Sequence, residues 1–433
     1  MSNGLLDEFR RELLYSRDEL VALQRAKLTR LLEVVRRENT FYAEKLRTVK
    51  FDPDRDPLSQ LPLTTRADLQ ADQLAHPPFG SNLTRPLASY TRFHQTSGTN
   101  GQPLRWLDTP ENWKWWKKCW MGIFDSAGIG GEDRVFFPFS FGPFVGFWSA
   151  FAGAETLGCL CIPGGGMTTQ ARIETMLANS ATVVCCTPTY ALRLADCARA
   201  EAVDLKSSAV RAVIVAGEPG GNIDATRQRI EREWGARVFD HAGMTEIGPW
   251  GFEHADCPRG LHILENEFIP EVIDPGTGRL LPEGSAGELV LTNLGRIDSP
   301  LIRYRTGDQV TLAASAIVGT SFRQAVGGVQ GRVDDMLFIR GNNVFPSAIE
   351  NILRGLVDLQ EYRLQVISSG NLSDLRIDIE PCEGADAGKL SENVERAIRD
   401  CLHFRPIVCI VASGALPRYE MKARRVLPDA EQV

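Results

Sequence analysis

No stretch of this 433-residue chain is apolar for long enough to cross a bilayer as a helix. The most apolar run, residues 136–154, is interrupted by Pro138, Gly142, Pro143, Gly146 and Gly153, so no membrane partner is expected. The first residues lead into a charged segment without an apolar h-region, so no signal peptide is expected. Positive charge is also short. The 48 Lys and Arg against 55 Asp and Glu leave a net charge of −7, and nucleic acid is excluded as an expected partner. Ten cysteines are too few for a disulfide scaffold in a chain of this length. Cys159, Cys161, Cys185, Cys186 and Cys409 sit in apolar runs, where cysteine acts as a small hydrophobe, and a reducing cytoplasm is the expected location. There is no internal repeat and no low-complexity tract.

What remains has the composition of an ordinary globular protein, 43% hydrophobic and 24% charged, long enough for two or three domains. Residues from about 5 to 48 read as helix, with Leu28, Leu31, Leu32 and Val35 on one face. Thr64 or Thr65 is placed to cap a short helix, and Pro110 to open another that carries Trp113, Trp115, Trp116 and Trp120. That helix reads as buried between layers, or as lending a ring or two to a ligand pocket. From Val135 onward, short β-branched runs alternate with amphipathic helices. The pattern predicts an α/β fold with a mostly parallel, helix-covered sheet, whose ligands lie beyond the carboxyl ends of the strands. Near Ile269 the texture changes to strand and tight turn, which predicts a small antiparallel, barrel-like part. From Gly331 the order strand, helix, strand, strand, helix, strand predicts a compact α+β unit.

One stretch is chemically distinctive: Gln95-Thr96-Ser97-Gly98-Thr99-Asn100-Gly101-Gln102-Pro103. Glycines let backbone N–H groups approach an anion, and hydroxyls add donors. The loop suits phosphate, though Ser, Thr, Gly and Asn clusters also make plain turns. No Lys-Ser/Thr follows the second glycine, so it is not a Walker loop.

Six further segments follow in order: Ala216-Gly217-Glu218-Pro219, Asp240-His241-Ala242-Gly243-Met244-Thr245-Glu246, Tyr304-Arg305-Thr306-Gly307-Asp308, Gly331-Arg332-Val333-Asp334-Asp335-Met336, Arg340-Gly341-Asn342-Asn343-Val344-Phe345-Pro346 and Met421-Lys422-Ala423-Arg424-Arg425-Val426. With these segments the chain resembles the phenylacetate–CoA ligase family of the adenylate-forming superfamily. The resemblance implies that an aryl carboxylic acid is joined to AMP from ATP and then passed to coenzyme A. The alternatives left open are transfer to a carrier-protein thiol or to an amine, and a catalytically silent nucleotide-binding relative.

The resemblance also implies roles. Thr96, Ser97, Gly98, Thr99 and Gly101 would hold phosphate. Glu246 would hold Mg²⁺, and Thr245 would contact the α-phosphate. Gly217, Glu218, Pro219, Asp240 and His241 would border the nucleotide. Asp308 would take the ribose hydroxyls, with Arg332 beside it. Lys422 would bridge carboxylate and phosphate, although alone it reads as one cation in a basic run. The acyl pocket would be formed by Phe136, Phe141, Phe144, Ala216, Ala242, Gly243 and Met244, with apolar walls that suit an aryl acid. The implied units are an adenylation domain over 1–330, a hinge over 331–335 that includes Asp334, and a mobile domain over 336–433. A homodimer is compatible with this reading.

Three departures stand out. Gln102 occupies a position where relatives commonly carry Lys. Ala242 occupies the place of an adenine-stacking aromatic, a loss of roughly 1 kcal/mol unless another ring supplies the contact. His254-x2-Cys257-x4-His262 has zinc-like spacing. Residues 314–319 carry no cysteine to complete it, so it reads either as a structural zinc site or as a loop without its metal.

Overall fold

The computed structural model describes residues 2–96, 102–317, 319–340, 342–369, 372–419 and 422–427. The N-terminal helical region is divided into Ser2–Leu13, Arg17–Glu38 and Thr40–Lys45 rather than being one element. The reason is local. Ser16 and Glu19 form a capping box that starts a new helix, and Asn39 ends one helix and caps the next through Tyr42 N–H. Thr65 caps Arg66–Ala75 in the same way, with Asp68 reciprocating. Thr109 caps the helix Pro110–Ser126, whose proline fills the first turn.

A twelve-stranded sheet runs through the molecule. At one end, strands Leu160–Pro163, Arg134–Phe137, Val183–Cys186, Ala212–Ala216 and Arg237–Met244 lie side by side in parallel. The sequence predicts this half, because β-branched strands separated by helices need crossover connections. The antiparallel part is not a separate body. Strand Gly248–His254 turns back directly on Arg237–Met244 and continues the same sheet through Cys257–Ile263 and Arg323–Val326 to Tyr304–Ala314. Ala286–Asn293 and Phe268–Ile273 follow.

Alternation along the parallel strands sorts side chains into two layers. Val135, Phe137, Ile214 and Phe239 pack against the tryptophan helix. Phe136, Val184, Val213 and Val238 pack against helices Pro188–Ala200 and Asp224–Trp234 on the other face. All four tryptophans of the helix Pro110–Ser126 are buried. Burying rings of that size from water at about 25 cal/mol per Å² makes this helix a large contributor to the core.

The C-terminal unit has its own core. A four-stranded sheet, in the order Ile407–Ile410, Leu372–Pro381, Leu359–Ser369, Val426–Leu427, is covered by helices Pro346–Arg354 and Ala387–Leu402. Its apolar cluster draws only on residues from Leu337 onward. Among the described residues, no helix is long and apolar enough to cross a membrane.

The N-terminal helices are fastened to the sheet by a buried charge cluster. Glu267 accepts from Lys27 Nζ and Lys118 Nζ, both at 2.9 Å, and from Trp115 Nε1 at 3.0 Å. Burial alone would raise the Glu267 pKa; the two lysines outweigh it and hold it down to about 2. Lys118 also reaches Glu8 at 2.9 Å, and Asn266 meets Glu12 at 2.8 Å. Breaking a buried pair from one side strands the other charge. Lys118→Met is therefore expected to cost about 3 kcal/mol in urea unfolding, and a loss below about 1 kcal/mol would mean that Lys27 suffices for Glu267.

Candidate active site

The site lies where strands Ala212–Ala216 and Arg237–Met244 end, beneath the C-terminal unit. Gly217 follows the first strand with φ +94°, a left-handed conformation that glycine adopts without strain. Its position brings the backbone beneath Lys422: a Cβ at Gly217 would stand 3.4 Å from Lys422 Cε. Glu218 then reaches in two directions. One oxygen accepts from Thr189 N–H at 3.0 Å, at the N-terminus of helix Pro188–Ala200; the other accepts from Ala423 N–H at 2.7 Å. Arg425 adds a bond to Thr189 Oγ1 at 3.3 Å and is held by Glu361 at 2.9 Å. The Glu218 side chain is thus spent on protein groups, joining the segment of Lys422 to the large sheet.

Asp308 and Arg332 are paired across antiparallel strands, with Asp308 and Arg332 in register. Arg332 Nη1 lies 3.5 Å from Asp308 Oδ1 and also bonds Asp334. Gly307 has φ +75°, and a Cβ there would meet Arg332 Nη2 at 2.8 Å, so only glycine allows this approach. Burial pushes the Asp308 carboxyl up to about 7, against the opposing pull of Arg332 and Lys422. Lys422 and Asp308, 114 positions apart, are therefore electrostatic neighbours.

Asp240 and His241 are adjacent in one strand and face opposite ways. Asp240 is bonded by Asn222 Nδ2 and by His241 N–H. Burial, with the nearby Glu253, pushes it up to about 7. His241 turns to the tryptophan helix, its ring 4.3 Å from Trp120, and Nδ1 stands 2.7 Å from Gly251 O. Gly243 lies two residues on, and Ala216 is the register partner of His241 on the next strand. Ala242 is the register partner of Gly251, where an added Cβ would lie 3.2 Å from the Ala242 methyl.

Glu246 is 6% exposed and anchored on both sides. Arg66 Nη1 bonds its Oε1 at 2.7 Å, and Arg66 Nη2 bonds Thr96 Oγ1 at 3.1 Å. The backbone carbonyls of Thr245 and Glu246 accept from Arg296 Nη1 at 2.7 and 3.0 Å. Arg296 in turn is paired with Asp108, both oxygens at 2.7 Å. The sequence reading missed Arg66 and Arg296. Arg66 could have been noticed as the first residue after the Thr65 cap, at the point where a helix is aimed; nothing local marks Arg296. Ser97, Gly98, Thr99 and Gly101 lie outside the described residues. Gln102 is exposed, and its carbonyl accepts from Gln70.

The aromatic wall differs in membership from the expected one. Phe141 lies in a cluster with Phe139, Trp148 and Phe151, at ring distances of 5.4, 4.6 and 5.5 Å. Phe139 stacks on Phe147 at 3.4 Å. Phe144 is half-buried and caps the helix Val145–Leu157. Pro143 O accepts from Gln95 N–H at 2.8 Å, which ties this wall to the strand entering the phosphate loop. Phe136 is not brought to this wall. It points to the other face of the sheet, fully buried beside Tyr190 and Met176, because alternation puts it opposite Val135 and Phe137.

His254, Cys257 and His262 do not converge on a metal. His262 Nε2 is bonded to Ser315 Oγ at 2.8 Å, the Cys257 thiol faces Gln324, and His254 Nδ1 accepts from Asp256 N–H. Among the described residues, no group of three or more His, Cys, Asp or Glu side chains could hold a metal ion. These three residues do not fit zinc.

With this geometry, the comparisons with known proteins are decisive. Residues 60–295 match the family model for an AMP-binding enzyme, and residues 341–429 match that for the C-terminal domain of such enzymes. The phenylacetate–coenzyme A ligase of Pseudomonas putida is 33% identical over 85% of this chain and 84% of its own length. That of Thermus thermophilus is 31% identical over 95% and 97%. The chain belongs to the phenylacetate–CoA ligase family of adenylate-forming enzymes. Members of this family are AMP-forming acid–CoA ligases.

Among solved structures, this ligase superposes with a TM-score of 0.92 on 2-hydroxyisobutyryl-CoA ligase in its postadenylation state, at 26% identity over 98% of this chain and 92% of that one. Against the same relative in its thioesterification state, with CoA, the TM-score is 0.73. The present arrangement of the two units is thus more similar to the postadenylation form of that relative than to its thioesterification form.

The raised Asp308 and Asp240 carboxyls carry a pH consequence. Below about pH 7 both hold protons and accept fewer hydrogen bonds. AMP binding by the ligase is expected to strengthen from pH 6 to pH 8 in titration calorimetry. Asp308→Asn should weaken it about tenfold or more at pH 8 and flatten the profile, because one charged acceptor is gone at every pH.

Proposed function

We propose that the ligase activates an aryl carboxylic acid with ATP and transfers the acyl group to coenzyme A. The observation that carries this reading is that Lys422, which lies over Gly217, is also an electrostatic neighbour of Asp308, so that segments far apart in sequence meet at one place. In the first half-reaction a carboxylate oxygen of the acid attacks the α-phosphorus; the new O–P bond forms as the bond to pyrophosphate breaks. Both reactants are anionic, so positioning and positive charge lower the barrier. Lys422 supplies a mobile point charge between the two anions. Asp308 accepts from the ribose hydroxyls, with Arg332 beside it, and Thr245 meets the α-phosphate. Asp240 borders the adenine, and Ser97, Gly98, Thr99 and Gly101 cradle the outer phosphates. Glu246 is a hard oxygen donor suited to Mg²⁺, which takes one or two carboxylates and phosphate oxygens and would neutralise phosphate charge there. Arg66, between Glu246 and Thr96, restores the positive charge that Gln102 does not supply.

In the second half-reaction the thiol of coenzyme A attacks the acyl carbon, and AMP leaves with the carboxylate oxygen. The turn Val333–Asp335 is the hinge, and the unit beyond it moves between the two steps. The Phe139, Phe141 and Phe147 cluster supports an aryl acid. A short hydroxy acid is the second reading, favoured by the likeness to 2-hydroxyisobutyryl-CoA ligase.

The test is acid-dependent exchange between ATP and pyrophosphate over phenylacetates, benzoates and hydroxyisobutyrates, followed by addition of CoA. Thioester is expected with an aryl acid; exchange without thioester would point to another acceptor. Lys422→Ala should lower exchange by a thousandfold or more while AMP binding changes less than threefold, and unimpaired exchange would sink the assignment.

Glu218 provides a separate check on the two orientations. Glu218→Gln keeps the shape but turns an NH₂ donor toward one of two N–H groups. Exchange should fall about tenfold, while thioester formation from supplied phenylacetyl-adenylate falls less than twofold. Equal losses in both steps would mean that Glu218 serves stability alone.

A further inference from the structure

The imidazole of His241 has one proton to give and has already given it. Nδ1 stands 2.7 Å from Gly251 O, and a carbonyl oxygen only accepts, so Nδ1 carries the hydrogen. In the neutral ring, Nε2 is then a bare acceptor. The ring is neutral near pH 7: burial holds its pKa down to about 4, and the bond to Gly251 offsets little of that. His241 is 7% exposed, and Nε2 has no partner among the described residues. Nε2 is not among the buried polar atoms that lack a partner, so in the free protein it is open to water, and a ligand that covers it without donating to it would strand it. Once covered, it needs a donor from whatever covers it.

Its direction says what that is. Nε2 faces Gly243: a Cβ added there would lie 3.2 Å away. Gly243 and Ala216, the register partner of His241, are two of the residues that border the acyl pocket on the proposed reading. The Trp120 ring covers one side of the imidazole at 4.3 Å, which fixes its plane and leaves the nitrogen edge free. The sequence reading assigned His241 to the nucleotide. The structure separates it from Asp240, which faces the other way with Asn222.

We propose that His241 is a specificity residue, and that the acid this ligase takes carries a hydrogen-bond donor, an O–H or N–H on its carbon skeleton, received by Nε2. This rests on the ligase reading above. An unsubstituted acid lying against Nε2 would shut water out without replacing its hydrogen bond. Sites built around a polar group discriminate far more strongly than apolar ones, because the unmatched group is stranded.

The experiment compares kcat/KM for exchange with phenylacetate, its 2-, 3- and 4-hydroxy and amino isomers, and mandelate. At least one donor-bearing acid should exceed phenylacetate by tenfold or more. In His241→Ile, which keeps a strand-forming apolar side chain against Trp120, that ratio should collapse to below threefold. The parent protein, labelled with ¹⁵N at its six histidines, gives a readout that survives a misfolded variant. The Nε2 signal of His241 should shift when the preferred acid binds with AMP, and stay in place with phenylacetate. If the parent takes phenylacetate as well as every donor-bearing acid, or if Nε2 responds to neither, the His241 proposal is overturned and the ligase reading stands. If no acid supports exchange, both fall.

Discussion

The pair between Arg296 and Asp108 is the constraint on which the site depends. Both side chains have no exposed surface, and they meet through two bonds of 2.7 Å. Burial would push the Asp108 carboxyl up, but Arg296 and then His94 hold it below the usual range. Trp106 and Trp116 stand over the guanidinium at 5.3 and 5.0 Å. Buried pairs are often no better for stability than apolar replacements. What this one supplies is position. Asp108 ends the strand that leaves the phosphate loop, while the same guanidinium holds the carbonyls of Thr245 and Glu246. One rigid, planar group therefore sets the distance between these two segments, and a flexible lysine could not reproduce that fork.

From that anchor, the pleat of one strand assigns the ligands. Along Arg237–Met244, Asp240 faces one side and His241 and Gly243 the other. On the proposed reading, nucleotide and acid would be met by neighbouring residues without competing for space. The same alternation turns Phe136 to the face opposite Val135 and Phe137, whereas Phe139 and Phe141 lie beyond the end of their strand and pack on one another.

Much of this was legible in the sequence, and the exceptions have causes. The parallel strands, the Thr65 and Thr109 caps, and the C-terminal strand and helix order follow from periodicity and capping, which are local. The places of Asp308, Glu246 and Lys422 came from resemblance; nothing in their neighbourhoods distinguishes them from a turn carboxylate or a surface lysine. Arg296, Arg66 and the facing of His241 were not legible, because each depends on a partner 10 to 188 positions away. The zinc reading failed for the reciprocal reason. Spacing brought His254, Cys257 and His262 to adjoining strands, but among the described residues no three such side chains come together as a metal's ligands would, and His262 Nε2 and the Cys257 thiol meet Ser315 and Gln324 instead.

The contact between the two units follows from what the reaction requires of it. On the proposed reading the two units part and meet again between the half-reactions, and a fused core would resist that. The described contacts agree: Ala225 N–H to Asn351, Gln360 to Asp196, Ser347 to Gln330 O, Ala423 N–H to Glu218 and Arg425 to Thr189 are all hydrogen bonds. The apolar cluster of the C-terminal unit stays within that unit. Hydrogen bonds of this kind exchange with water at little net cost, about 1 kcal/mol each, whereas an apolar seam would have to be exposed on every turnover. The segment that carries Lys422 is held to the large sheet by bonds that follow it in the chain, Ala423 N–H to Glu218 and Arg425 to Thr189; on the proposed reading Lys422 would withdraw when those few bonds are given up.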